Sequence, residues 1–449
     1  MSKLQPYDNY QPVQYDYISQ LPHDWKLLPN MAIFRERIER GHENEELLSV
    51  TIGRGIIKQS ELEKKDSSTL DKSKYLLVYP GDLVYSMRFR QGASGYSIHK
   101  GIVSPACTVL KPKREIEINP RFFFFMFRTG FYKNYVERFA YGIADGQIPL
   151  RYVDFKRMYT IVPPLETQNA IVAYLDRKTK QIQDFIAKKQ RLIELLEEQK
   201  KSITFNLLTK GIDNVNSEPV KDSWLQEKPV HWKVHRGKSM FKIFGGFAPS
   251  DLRILNESEY SQLNAISYYK VDDLNNVDGF LLKPSSWRVN SKKLRTTGKG
   301  TILLPKRGAA IMTNKVTQCS DSCVFDSNIM GIKVDNSIVH TDYICLWLKT
   351  RNLIELADVT TIPQLNNKHI YPLLISLPDL EEQKRILEYL QEKTNHLGRS
   401  VSIAMSEIEK AKEYQESLIT QVVTGQLKVP MSELRLEGLL DDRIGINTY

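Results

Sequence analysis

The chain has 449 residues, 41% of them hydrophobic and 26% charged, an ordinary globular composition that is too long for one core and suggests two or three domains. Its net charge of +10 and pI near 9.1 point toward a polyanionic partner, most often nucleic acid. The longest apolar run, Phe122–Phe127, is far short of a membrane span, and the polar stretch Met1–Gln20 has no signal-peptide core, so a cytoplasmic location is expected.

Residues 1–160 read as a first globular unit. It opens on Pro22-His23-Asp24-Trp25-Lys26, followed by short β-type runs. Leu76 to Ser86 reads as strand, tight turn at Pro80-Gly81, strand, with a basic loop after it. Asn119-Pro120 then caps an aromatic helix running to about Ala140, because Asn suits the cap and Pro the first helical position. The phenylalanines inside it are read as core. A loop and strand from Gln147 to Val162 end the unit.

A long helix follows over residues 161–212. Leu165, Ile171, Leu175, Ile182, Phe185, Ile186, Leu192, Ile193, Leu196, Ile203, Leu207 and Leu208 follow mostly a three-to-four-residue rhythm over some six heptads, the seam of a coiled coil. Prolines precede it, and Gly211 closes it where a left-handed cap requires glycine. A polar linker spans 213–228. A second unit, 229–377, repeats the landmarks of the first: Pro229-Val230-His231-Trp232-Lys233, the turn and strand of Gly300 to Leu304, and a helix capped by Thr341-Asp342 running to Leu356. A second long helix follows at 378–425, closing at Gly425, and a tail runs from 426 to 449.

The two long helices are copies of one another. Pro163-Pro164-Leu165-Glu166-Thr167-Gln168 matches Pro378-Asp379-Leu380-Glu381-Glu382-Gln383, with Ile171, Tyr174, Leu175, Lys178 and Thr179 matching Ile386, Tyr389, Leu390, Lys393 and Thr394. A period near 215 residues is far too long for a solenoid and means two whole domain-plus-helix units. Each helix of about 43 residues would be roughly 65 Å long and cannot bury its stripe alone, so each is expected to pair with the other. The fold class is therefore α+β: two mixed globules and two long helices packed as an antiparallel coiled coil, with an internal pseudo-twofold repeat.

No catalytic constellation survives scrutiny. Pro378-Asp379 with Glu382-Gln383-Lys384 superficially matches a metal-nuclease pattern, but the sister copy lacks the Asp and the Lys, and Asp379 with Glu382 suits a helix cap and its capping-box partner. Asn119-Pro120-Arg121-Phe122 lacks the second proline of the adenine-methyltransferase tetrapeptide. Gly237-Lys238-Ser239 lacks the upstream glycine of a phosphate loop. Cys107, Cys319, Cys323 and Cys345 fit no zinc spacing and read as reduced structural thiols. No metal site is expected.

The basic loops carry more. Arg88, Arg90, Gln91 and Lys100 lie in one glycine-rich stretch, and Lys306, Arg307, Asn314, Lys315 and Gln318 take the matching place in the second unit. Gln147, and Gln364, Asn366 and Lys368, occupy a second matching pair of loops. Arg and Lys can reach phosphates or guanine edges, and Asn and Gln can pair with adenine. A solvated charged loop explains any one of these residues equally well; the recurrence of the same charge type at the same place in both copies favours DNA.

The duplicated Pro-x-Leu-Glu-x-Gln helix start, the Gly-Asp-Leu hairpin and the two-unit layout resemble the specificity subunits of type I restriction-modification systems, over Pro22 to Gly425. The resemblance implies two target-recognition domains, each reading one half of a bipartite DNA target. It implies a helix pair that sets their spacing, and a chain without catalytic residues. It also implies docking of two methyltransferase (M) subunits for N6-adenine methylation, with the helix-start residues Leu165, Glu166, Gln168, Leu380, Glu381 and Gln383 as the docking motif, and restriction (R) subunits in the full nuclease. This chain then binds no cofactor; S-adenosylmethionine, and ATP and Mg for cleavage, belong to partner subunits. The competing readings are a self-contained DNA-cutting or modifying enzyme and a coiled-coil scaffold without sequence readout.

Overall fold

The structure, a computed structural model, describes residues 4–15, 18–62, 71–139, 150–213, 215–222, 224–256, 259–260, 265–290, 292, 294–358, 362–436 and 438–440. The chain divides into two compact units. One is Met1–Gln190 with Met405–Tyr449; the other is Arg191–Ala404. The boundaries thus fall inside the long helices rather than at their ends, since each helix has an apolar stripe and each unit buries part of both.

The first long helix is Leu165–Lys210 and the second Leu380–Val423. Asp379 caps the second, accepting the backbone N–H of Glu382 at 2.8 Å. Gly211 and Gly425 close the two helices at φ of +76° and +75°, the left-handed conformation expected of them. Within the first unit, Ile171 and Leu175 near the start of one helix share a core with Leu418, Val422 and Val423 near the end of the other. Lys189 pairs there with Glu407 at 2.6 Å. Within the second unit, Leu207 and Leu208 share a core with Ile386 and Leu390. Start meets end in both units, so the helices pair antiparallel.

Each globule is tied to its helices by the same ribbon. Lys26–Pro29 pairs antiparallel with Tyr159–Val162 in the first unit, and Lys233–Arg236 with Leu374–Leu377 in the second. The main sheet of the first unit has the strand order Phe34–Glu36, Cys107–Pro112, Leu83–Ser86, Ser94–Tyr96. That of the second begins Phe241–Gly245, Ile329–Val334, Ile302–Pro305, the same frame extended by three further short strands.

Several local expectations are corrected. The strands flanking Gly81 do not pair with each other: Leu76–Val78 pairs with Gly101–Val103, while Leu83–Ser86 joins the main sheet. The turn therefore carries the chain between sheets. The aromatic helix is two helices, Pro120–Arg128 and Gly130–Val136. Thr129 ends the first by donating to the Met126 carbonyl (2.7 Å) and starts the second by accepting the Tyr132 N–H (3.1 Å). The Asn119 cap and the buried Phe122, Phe123, Phe125 and Phe127 are as read. In the second unit the helix Thr341–Arg351 begins on Thr341 itself, and Asn352, at φ of +65°, breaks it before Leu356. The stretch 213–228 is not a bare linker. It holds the strands Ser217–Pro219 and Glu227–Pro229, and Trp224 packs edge-on against Phe205 and Trp347. The tail carries a helix, Met431–Leu436, with Leu434 buried; its last residues, 441–449, lie outside the described residues.

Candidate nucleic-acid interface

The glycine-rich stretch of the first unit is anchored by Phe89, fully buried in the short turn Phe89–Gln91, with Gly92 at φ of +91° reversing the chain behind it. The flanking cations consequently face solvent. Arg88 is exposed and has no ion pair among the described residues. Arg90 is paired with Glu137 at 2.5 Å. Gln91 is exposed. Lys100 is paired with Glu45 and lies 5.9 Å from the Tyr79 ring centre. Gln147 lies outside the described residues.

At the other end of the strand Leu83–Ser86 the turn at Gly81 is held by Asp82. Its carboxylate accepts from Arg37 Nε and Nη2 (3.0 and 3.2 Å) and from the Tyr79 N–H (2.8 Å). Burial pushes the Asp82 carboxyl above its ordinary range against the opposing pull of Arg37. The Gly-Asp-Leu motif marks the turn in the sequence, but nothing local marks Arg37 as the partner of Asp82.

In the second unit the two expected loops come together. Arg307 and Gln364 form a backbone bridge, Leu365 donates to the Lys306 carbonyl at 2.9 Å, and Gly308 donates to the Pro363 carbonyl at 3.0 Å. Arg307 is exposed and its guanidinium has no partner among the described residues. Lys306 donates to the Ser327 carbonyl at 3.1 Å. Lys368 pairs with Asp358 at 2.7 Å, and Lys368, then His369, holds that carboxyl below its usual range. Asn366 stands at the N-cap of the turn Asn367–Ile370.

Three residues of this set lie apart from the loop pair. Asn314, at φ of +51°, spends its amide on both sides of the Asn352 break, donating to the Lys349 carbonyl of the helix Thr341–Arg351 at 2.6 Å and accepting from the Leu353 N–H beyond it at 3.0 Å. Lys315 donates to the Val271 carbonyl at 3.3 Å. Gln318 is buried and donates to Asp342 at 2.5 Å. These three hold the fold, and the surface is concentrated on Lys306, Arg307 and Gln364.

The helix-start motif needs a correction. Gln168 and Gln383 are fully buried and so cannot present a docking surface. Gln168 accepts the Asn119 N–H and donates to the Pro163 carbonyl, both at 2.8 Å. Gln383 accepts the His340 N–H at 2.8 Å and donates to the carbonyls of Pro378 (3.0 Å) and Ile338 (3.1 Å). Each glutamine bolts the start of a long helix to the start of the short helix of its own globule, where a backbone N–H would otherwise be orphaned. Leu165 and Leu380 are half-buried. Only Glu166, paired with Arg435, and Glu381, paired with Lys384 at 2.9 Å, are exposed. Glu382 does not close a capping box; it accepts from His231 and Trp232 instead.

The four cysteines are free, and Cys319 and Cys323 are buried with sulfurs 2.9 Å apart. No helix among the described residues is long and apolar enough to cross a membrane.

Comparison with known proteins places this architecture. The family model for the type I restriction modification DNA specificity domain matches twice, at residues 44–197 and 229–399. The type I restriction enzyme MjaVIII specificity subunit of Methanocaldococcus jannaschii is 24% identical over 346 residues, covering 74% of this chain and 75% of that one. A second protein of that organism, bearing the MjaX specificity-subunit name, is 23% identical over 435 residues, 92% of this chain and 96% of its own. Among solved structures, the HsdS subunit from Thermoanaerobacter tengcongensis superposes with a TM-score of 0.54 at 15% identity, covering 93% of this chain and all of that one. A chain from a study of complex assembly in a type I R-M system superposes at 0.72 and 16%, covering 91% and 99%. With both halves matched by one domain model and the fold repeated in the same order, the chain belongs to the type I restriction-modification DNA specificity family.

Proposed function

We propose that the two units read the two halves of one bipartite DNA target, and that the paired helices set the gap between those halves while two methyltransferase subunits dock on this chain. The observation that carries this reading is the shared frame with divergent loops. The same ribbon, the same first three strands and the same buried glutamine recur in both units, while Arg88 and Arg90 in one are replaced by Lys306 and Arg307 beside Gln364 in the other. A constant frame under variable loops is what two readers of different sequences need. N6-adenine methylation then falls to the partner subunits with their S-adenosylmethionine, and cleavage to restriction subunits with ATP and Mg. This chain supplies the address.

The test is to map methylated adenines in cells that express the chain with its methyltransferase partner. A two-part motif with a fixed gap is expected. Exchanging residues 229–377 for those of a relative should change one half of the motif only. A continuous motif, or both halves changing together, would overturn the reading.

A further inference from the structure

The outer two strands of each main sheet carry cations directly across from one another. In the second unit Lys242 on Phe241–Gly245 faces Lys333 on Ile329–Val334, and in the first unit Arg35 on Phe34–Glu36 faces Lys111 on Cys107–Pro112. Arg35 and Lys242 hold the same place in the repeat, each the second residue of the outermost strand and each following a buried phenylalanine, Phe34 or Phe241. Directly opposed residues share one face of a sheet, and like charges placed so destabilise it. The same unfavourable pairing stands in both units.

No carboxylate among the described residues pairs with Lys242 or Lys333, and both are exposed. In the first unit Asp82, one residue before the strand that continues the sheet, feels the charge of Lys111, but it is buried and Arg37 takes both of its oxygens. In the second unit the corresponding residue is Thr301, which carries no charge and is hydrogen-bonded to the Gly298 carbonyl at 2.9 Å. Edge strands often carry a cation simply to repel another edge. That explains Arg35 and Lys242, which lie on outermost strands. It does not explain Lys111 and Lys333, which lie on interior strands. In the first unit the patch extends into a cleft of about 410 Å³ lined by Arg35, Lys113, Arg114 and Glu115.

We propose that Lys242 with Lys333, and Arg35 with Lys111, grip the phosphate backbone of the duplex independently of base sequence. The proposal rests on the DNA-reading function above. A cation pair that costs the folded chain something is offset once a phosphate sits between the two charges, and counterion release from the duplex adds to the gain. These contacts would position each unit and leave base choice to the loops.

The experiment measures anisotropy of the full chain on two labelled duplexes, one carrying the mapped target and one scrambled, from about 50 to 300 mM salt. Native chain that binds neither duplex would sink the DNA reading itself before any variant is made. With Lys242→Gln and Lys333→Gln together, the slope of log affinity on log salt should become shallower by about 1.8, and affinity should fall roughly 30-fold near 0.15 M salt, equally on both duplexes. An unchanged slope overturns the proposal. So does a loss confined to the target duplex, which would make the pair base readers, or loss of a co-purifying subunit with duplex affinity intact, which would make it a protein-docking patch. Lys242→Glu separates grip from fold, because a glutamate facing Lys333 should raise the melting temperature while duplex affinity falls. A melting temperature that falls with the affinity would assign the pair to the fold and end the proposal.

Discussion

Trp232 donates its indole N–H to Glu382 at 3.1 Å, across the point where Gly211 ends one long helix and Asp379 begins the other. The second carboxylate oxygen of Glu382 lies 2.9 Å from His231 Nε2. The first unit has the same plug without the same acceptor. Trp25 packs against Gly425, yet its indole N–H is buried with no partner among the described residues, and the position matching Glu382 is Thr167.

Glu382→Ala should therefore leave Trp232 with an unpaired buried donor and destabilise the second unit by about 1–3 kcal/mol. Thr167→Glu should stabilise the first unit by supplying the missing acceptor. Thermal melting of the two variants checks both; equal and unchanged melting temperatures would sink the idea that this bond separates the units.

Gln168 and Gln383 are predicted to act on stability alone. Each substitution to Ala orphans a part-buried backbone N–H, of Asn119 or His340, and should cost about 1–3 kcal/mol in urea unfolding while the methylated motif stays unchanged. A changed motif would show that the glutamines act in readout.

Arg307 and Gln318 make a contrasting pair in one unit. Arg307→Ala should weaken the target duplex by about 1–3 kcal/mol if the guanidinium reads a base, and should relax the motif at one position of one half-site. Gln318→Ala removes a part-buried bond to Asp342 and should lower the melting temperature with the motif preserved. Methylome sequencing of the two variants separates the roles; a relaxed motif from Gln318→Ala with Arg307→Ala silent would reverse them.

The spacing reading is tested in the first long helix. Inserting four residues near Leu195, which is 46% exposed and within Leu165–Lys210, adds roughly 6 Å of helix, about two base pairs of rise. The gap in the methylated motif should lengthen with both halves unchanged. A changed half with an unchanged gap would contradict the reading.

Much of this protein is written locally. The apolar rhythm, the prolines before each long helix and the glycines after it are set by neighbouring residues, and Asn119 before Pro120 caps its helix because a short polar side chain and a ring-locked φ need only each other. The repeat exposes the two-unit plan without any structure at all. Tertiary structure decided what depends on residues distant in sequence. The strands around Gly81 part because each finds a different partner, Leu76–Val78 in Gly101–Val103 and Leu83–Ser86 in Cys107–Pro112, and Arg37, 45 residues from Asp82, holds the turn between them. Asn314 and Gln318 read as reachable polar groups until the helix Thr341–Arg351 takes up their hydrogen bonds. The motif glutamines read as surface until their backbone partners Asn119 and His340, over 40 residues away, bury them. A buried polar group must find its partner wherever the fold brings one, so which loop residues remain free to meet DNA is a property of the folded chain.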